Sequence, residues 1–143
     1  MTGQAGQDAP VDGAEVMRDF LPSSPFVQHL GVRLADLGAG TARLVLPYDE
    51  RLVTIGTTIH GGAVATLADT AAMAAAWSGA PAPESLRGST VDLTVHYLAP
   101  ATETDLVAEA RVLRRGRSIV HIAVDVSAGD APVAHAVATY KLG

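Results

Sequence analysis

Two features of the sequence could do chemistry: the tripeptide His60-Gly61-Gly62 and the carboxylate of Asp69. Paired glycines are poor residues inside a helix but suit its start, where backbone must approach a ligand closely. A helix start also presents unpaired N–H groups and the positive end of the helix dipole. Such groups polarise a carbonyl or stabilise an oxyanion. Asp69 is the only Asp, Glu, Lys or Arg between Arg51 and Glu84. A lone carboxylate of this kind has two readings. It is a solvated residue on an exposed helical stripe, or it stands in a mostly apolar cleft, where desolvation would raise its pKa and make it a better base. A His-Gly-Gly alone is a weak signal; joined to a carboxylate inside an alanine-rich helix it becomes a good one.

The element that must carry both features is the segment 60–78. It is rich in alanine, has no internal proline, and stops before Gly79 and Pro81. Thr66, Asp69, Thr70 and Met73 fall on one stripe. Val64, Leu67, Ala68, Ala71, Ala72, Ala75 and Ala76 cover much of the remaining surface, so the helix should be largely buried. Before it, residues 32–37 and 41–47 read as strands around the turn Gly38-Ala39-Gly40, and 48–58 as a loop. After Pro83 the period changes to two: Val91, Leu93, Val95 and Tyr97 alternate with Asp92, Thr94, His96 and Leu98. Strands at 105–113, 117–127 and 132–142 follow, with turns at Arg114-Arg115-Gly116 and Gly129-Asp130. Near the N-terminus, 13–20 reads as a short helix ended by Pro22. A second begins at Ser24-Pro25, with Phe26, Val27 and Leu30 as packing residues and Gly31 as its end. The layout is α+β, a run of antiparallel strands packed on one long central helix. Residues 1–12, rich in Gly, Gln, Asp and Pro, read as a mobile tail, and 13–143 as a single domain.

Composition narrows the function classes. The chain has 143 residues, 48% hydrophobic but only 4% aromatic, so its core must be built from Ala, Val, Leu and Ile. A net charge of −5 argues against nucleic acid as a partner. The absence of cysteine excludes disulfides, zinc thiolate sites and thiol nucleophiles. No pair among His29, His96, His121 and His135 has metal-ligand spacing, and each reads as structural or surface. Trp77 reads as packing, with Met73 or the loop 48–58 as candidates to shape a substrate tunnel. The stretch 1–12 lacks the features of a signal peptide. The apolar run 71–77 is far shorter than the roughly 20 residues that cross a bilayer. A soluble cytoplasmic protein without a membrane partner is expected. Arg111, Arg114, Arg115 and Arg117 form the densest basic cluster, either a solvated turn or a phosphate site.

Three segments in order carry a resemblance. Thr58-Ile-His-Gly-Gly-Ala-Val-Ala-Thr-Leu-Ala-Asp-Thr-Ala71 resembles the signature of hotdog-fold acyl-CoA thioesterases of the phenylacetate-pathway type. Thr90-Val-Asp-Leu-Thr-Val-His-Tyr-Leu-Ala-Pro100 matches the strand after the helix, and Val112-Leu-Arg-Arg-Gly-Arg-Ser118 a turn that meets CoA. The likeness spans 26–142. It implies a hotdog fold, an antiparallel sheet wrapped around the helix. It implies hydrolysis of an acyl-CoA thioester without metal or organic cofactor, by a homodimer that shares its active sites across the interface and pairs into a homotetramer. Asp69 matches the catalytic acid, acting as general base or, alternatively, as nucleophile. Gly61 matches the glycine whose N–H holds the thioester oxygen, and His60 shapes the loop. Thr90 matches a serine that positions water, contributed by the neighbouring subunit. Gly62 and Thr66 fall with the substrate contacts, and Arg114, Gly116, Arg117 and Ser118 with the CoA nucleotide. Thr54 stands where many relatives have Asn, so its hydroxyl takes that role or the loop runs differently. The acyl group implied is aromatic, of the phenylacetyl type, or medium-chain. Two rivals remain. A hotdog dehydratase or hydratase would need a histidine five residues beyond the acid, where this chain has Ala74. A non-catalytic acyl-CoA-binding protein would leave Asp69 without a purpose.

Overall fold

The computed structural model of the protein describes residues 12–143. The tail reading for residues 1–11 lies outside them. Asp12, grouped with the tail on composition, belongs to the fold: its carboxylate accepts from the Glu15 N–H at 3.0 Å, and its backbone bridges Pro81. It thereby caps α1 (Gly13–Ser23), satisfying one of the unpaired N–H groups of a helix start. α1 runs past the expected stop at Pro22. Proline removes one backbone bond, but it sits in the last turn, and burial of Met17 and Leu21 holds the helix together. α2 (Pro25–Leu30) ends at Gly31, which adopts the left-handed conformation at φ 81°. Val27 and Leu30 are buried as expected, whereas Phe26 is 58% exposed.

The strands follow in chain order. β1 (Arg33–Gly38) and β2 (Thr41–Leu46) form a hairpin. The segment 48–58, expected to be a loop, holds a 3-10 turn (Glu50–Leu52) and a small hairpin of β3 (Val53–Ile55) and β4 (Thr58–Ile59). The long helix α3 (Gly61–Trp77) comes next, then β5 (Ser89–Tyr97), β6 (Leu106–Arg115), β7 (Ile119–Ala128) and β8 (Ala131–Lys141). Six strands make one antiparallel sheet in the order β1-β2-β6-β7-β8-β5, leaving β1 and β5 at its edges. Its inner face packs on α3. Leu44, Leu106, Ile122, Val124 and Ala136 have no exposed surface there, nor have Ala68, Ala71, Ala72, Ala74, Ala75 and Ala76 on the helix. Small side chains on α3 let the curved sheet close around it, which gives the α+β hotdog architecture. No helix among the described residues is long and apolar enough to cross a membrane.

Of the four register shifts in the sheet, two change which side chains face the helix near the candidate residues. In β5 the register shifts between Thr90 and Asp92, so Val91 is bulged out and 61% exposed instead of facing inward with Leu93 and Val95. The extra residue turns Thr90 to the helix side. In β6 the register shifts between Val112 and Arg114. Leu113 is pushed outward, Arg115 pairs with the buried Val120 on the inner face, and Arg114 pairs with His121 on the outer face.

Candidate active site

Beyond its first turn, α3 keeps exposed surface only at Ala65, Thr66, Asp69 and Met73. Thr70, counted on the same stripe, is buried, and its hydroxyl donates to the Thr66 carbonyl at 2.7 Å. Asp69 is half-buried and lines a cleft of about 300 Å³ with Phe20, Phe26, Met73, Thr90 and Tyr140. Asp69 thus lines a cleft and is not fully solvated. The Thr90 hydroxyl donates to Asp69 Oδ1 at 2.6 Å, short as expected for a bond to a carboxylate. Thr90 therefore meets Asp69 of its own chain, which corrects the expectation that it comes from the neighbouring subunit. The bulge at Val91 is the reason, since strict alternation would have turned Thr90 away. Tyr140 accepts from the Trp77 indole N–H at 3.1 Å. Burial pushes the Tyr140 hydroxyl up from its ordinary pKa, the bond from Trp77 opposes this, and the charge of Asp69 adds to it. The phenol stays protonated beside the carboxylate.

The helix entrance lies about 12 Å from Asp69 along α3, eight residues at roughly 1.5 Å each. His60 caps the helix: its Nδ1 accepts from the Gly62 N–H at 2.7 Å. The imidazole therefore serves the helix entrance as its cap. A side chain at Gly62 would stand 2.9 Å from that nitrogen, so the cap requires glycine there. The His60 N–H donates to the Leu52 carbonyl at 2.8 Å, and the His60 carbonyl accepts from Ala63 at 2.9 Å and Val64 at 3.3 Å. The Gly61 N–H has no acceptor among the described residues. It remains available to a ligand oxygen, and two bonds on the other end of its peptide polarise it further. Gly61 borders a hollow formed with Tyr97, Leu98, Ala101 and Val133, whereas His60, Gly62 and Thr66 border another with Arg51 and Val53. This second hollow shares Phe26 and Thr66 with the Asp69 cleft.

Comparison with known proteins shows the family. Residues 56–134 match the family described as the Thioesterase superfamily. The chain belongs to the thioesterase superfamily. A Halobacterium salinarum relative, named provisionally as an esterase, is 38% identical over 122 residues, covering 83% of this chain and 78% of that protein. Human acyl-coenzyme A thioesterase 13 is 30% identical over 118 residues, covering 79% and 80%. Among solved structures, a thioesterase family protein from Silicibacter pomeroyi superposes with a TM-score of 0.83 at 29% identity, covering 92% and 99%.

The remaining candidates of this thioesterase-superfamily chain divide. Thr54 is exposed at the irregular step of the β3–β4 hairpin and is not among the residues lining the Asp69 cleft. Gly116 donates its N–H to the Ile119 carbonyl at 2.8 Å and closes the β6–β7 turn beside Arg117 and Ser118. Of the four clustered arginines, Arg111 pairs with Asp125 at 3.0 Å. Arg115 donates to the Ala76 carbonyl at 2.8 Å and the Ser78 carbonyl at 3.1 Å, capping the C-terminal end of α3. Burial lowers its pKa from the ordinary guanidinium value. Arg114 and Arg117 are exposed and carry no ion pair among the described residues. Trp77 is buried and meets Tyr140 edge to face at 6.3 Å, a packing role. Sequence reasoning passed over Phe20, Tyr97 and Tyr140 as site residues. Their signal was rarity: the chain has two Phe and three Tyr, and both Phe and one Tyr line the Asp69 cleft.

Proposed function

We propose that the protein hydrolyses acyl-CoA thioesters, with Asp69 as general base and the Gly61 N–H polarising the thioester carbonyl. The observation that carries this reading is the half-buried Asp69 held by the Thr90 hydroxyl in an aromatic-lined cleft on a largely buried helix. Thr90 keeps one carboxylate oxygen fixed and leaves the other to take a proton from water. Nucleophilic attack by Asp69 is the second form of the same reading. In one chain, Asp69 and Gly61 border different hollows about 12 Å apart along the helix. A single carbonyl cannot bridge them, so the catalytic unit is a homodimer in which Gly61 and Thr54 of one subunit meet Asp69 and Thr90 of the other. Pairing of dimers into a tetramer is the further assembly we favour. The CoA phosphates go to Arg114 and Arg117, which carry no ion pair among the described residues, beside Gly116 and Ser118. Phe20, Phe26 and Met73 suit an aromatic acyl group of the phenylacetyl type, or a medium-chain one, in a cytoplasmic setting.

The test is thiol release from a panel of aromatic, short, medium and long acyl-CoAs. Turnover abolished in Asp69→Asn with CoA binding retained supports the hydrolase. Absence of thiol release across the panel with acyl-CoA binding intact returns the protein to the non-catalytic binding class.

A further inference from the structure

The Tyr97 hydroxyl donates to the Gly61 carbonyl at 2.8 Å. That carbonyl belongs to the same peptide group whose N–H, at Gly62, is taken by His60 Nδ1 at 2.7 Å. Both ends of the Gly61–Gly62 peptide are therefore held by side chains, one from the last residue of β5 and one from the helix cap. The preceding peptide is held at its His60 carbonyl by Ala63 and Val64, and its N–H, at Gly61, has no acceptor among the described residues. Gly61 has no side chain to restrict it, so its φ and ψ depend on what grips the two flanking peptide planes: the backbone bonds of α3, of which Gly61 is the first residue, and the Tyr97 and His60 side chains. The Tyr97 ring also lies against Gly61, about 3.4 Å from where a Cβ would stand.

We propose that Tyr97 is a positioning residue for the carbonyl-polarising N–H of Gly61, acting by clamping the following peptide. The inference rests on the reading of Gly61 as that donor. A donor in a preorganised site works because it needs no reorientation when charge develops on the oxygen. Loss of the clamp loosens the Gly61–Gly62 peptide and, through the Gly61 backbone, the aim of the Gly61 N–H, a cost in the transition state rather than in ground-state binding. Tyr97 is 55% exposed, and its partner is a helix-entry carbonyl, so the hydroxyl can be removed without opening the core.

The experiment compares wild-type protein with Tyr97→Phe on whichever acyl-CoA the wild type cleaves. The expected result is a fall in kcat of about tenfold with KM and melting temperature retained, together with faster amide hydrogen exchange at Gly62, read by NMR on the full chain. A purely structural role would lower the melting temperature and leave kcat per folded molecule unchanged. Wild-type kcat in Tyr97→Phe overturns the inference while leaving the hydrolase reading intact, as does a rise in KM alone. A wild-type protein that cleaves no thioester overturns the hydrolase reading and the positioning role with it; unaltered Gly62 exchange overturns the clamp even then.

Discussion

Replacing Gly61 by proline deletes the one backbone N–H on which carbonyl polarisation depends while disturbing little else. Gly61 is the first residue of α3, the helical position where proline is best tolerated, because its missing N–H has no intrahelical partner. Proline also restricts the residue before it to extended backbone, and His60 already has φ −61° and ψ 134°. The nearest atoms to a Cβ at this position would be those of the Tyr97 side chain, at 3.4 Å or more, ordinary contact. The variant should fold and melt like the wild type, with kcat lower by about 10²–10³, the cost of removing one oxyanion donor. The stronger test combines it with Asp69→Asn. Each variant alone is inactive at both sites of a homodimer. Co-expressed at equal levels they form mixed dimers in about half the molecules, and one of the two sites in each then pairs an intact Gly61 with an intact Asp69. Thiol release should recover to about one quarter of the wild-type rate. If both residues acted within one chain, no molecule would hold a complete site, and the mixture would be as dead as its parents. That result would refute the argument from the 12 Å separation.

Other substitutions probe the remaining parts of the site. Thr90→Val removes the 2.6 Å bond to Asp69 at nearly constant volume; kcat should fall by roughly tenfold, in line with 1.5 kcal/mol or so for a hydrogen bond to a charged group, while CoA affinity measured by calorimetry is unchanged. Arg115→Ala leaves the Ala76 carbonyl without its side-chain donor at the end of α3 and the Ser78 carbonyl with the Gly40 N–H alone, and should cost about 1–3 kcal/mol in denaturant unfolding, with KM for acyl-CoA unaffected. Arg114→Ala combined with Arg117→Ala should raise KM without changing kcat, and the wild-type KM should rise toward the variant's in high salt. The His135 bond, then that from Arg111, holds the Asp125 carboxyl below the usual carboxylate range against the opposing effect of burial. Its contribution to stability is therefore complete above the unfolded-state value of about 4 and lost as pH falls through the lower folded-state value. The melting temperatures of wild type and Asp125→Asn should converge on acidification below that range.

The sequence by itself determined the layers and most of the elements, because the signals are local. Alanine density without proline marks α3, period-two alternation marks the strands, and Gly31 and the His60-Gly61-Gly62 run mark helix ends. Asp69 stood out because no other charge lies near it in the chain. What the tertiary structure decided depends on register, which no local pattern carries. A single extra residue at Val91 turns Thr90 toward Asp69, and another at Leu113 exchanges the faces of Arg114 and Arg115. The first brings the Thr90 hydroxyl to the Asp69 carboxylate; the second makes Arg115 a helix cap and leaves Arg114 exposed. The same holds for the short hairpin in 48–58, whose strands are fixed by pairing with each other and by the Leu52 and Ala101 carbonyls rather than by their own composition. Tyr97 and Tyr140 read as ordinary strand residues until the fold brings one to the helix entrance and the other to the carboxylate. Residue types announced the two chemical groups, and the curvature and register of the sheet decided which side chains hold them in place.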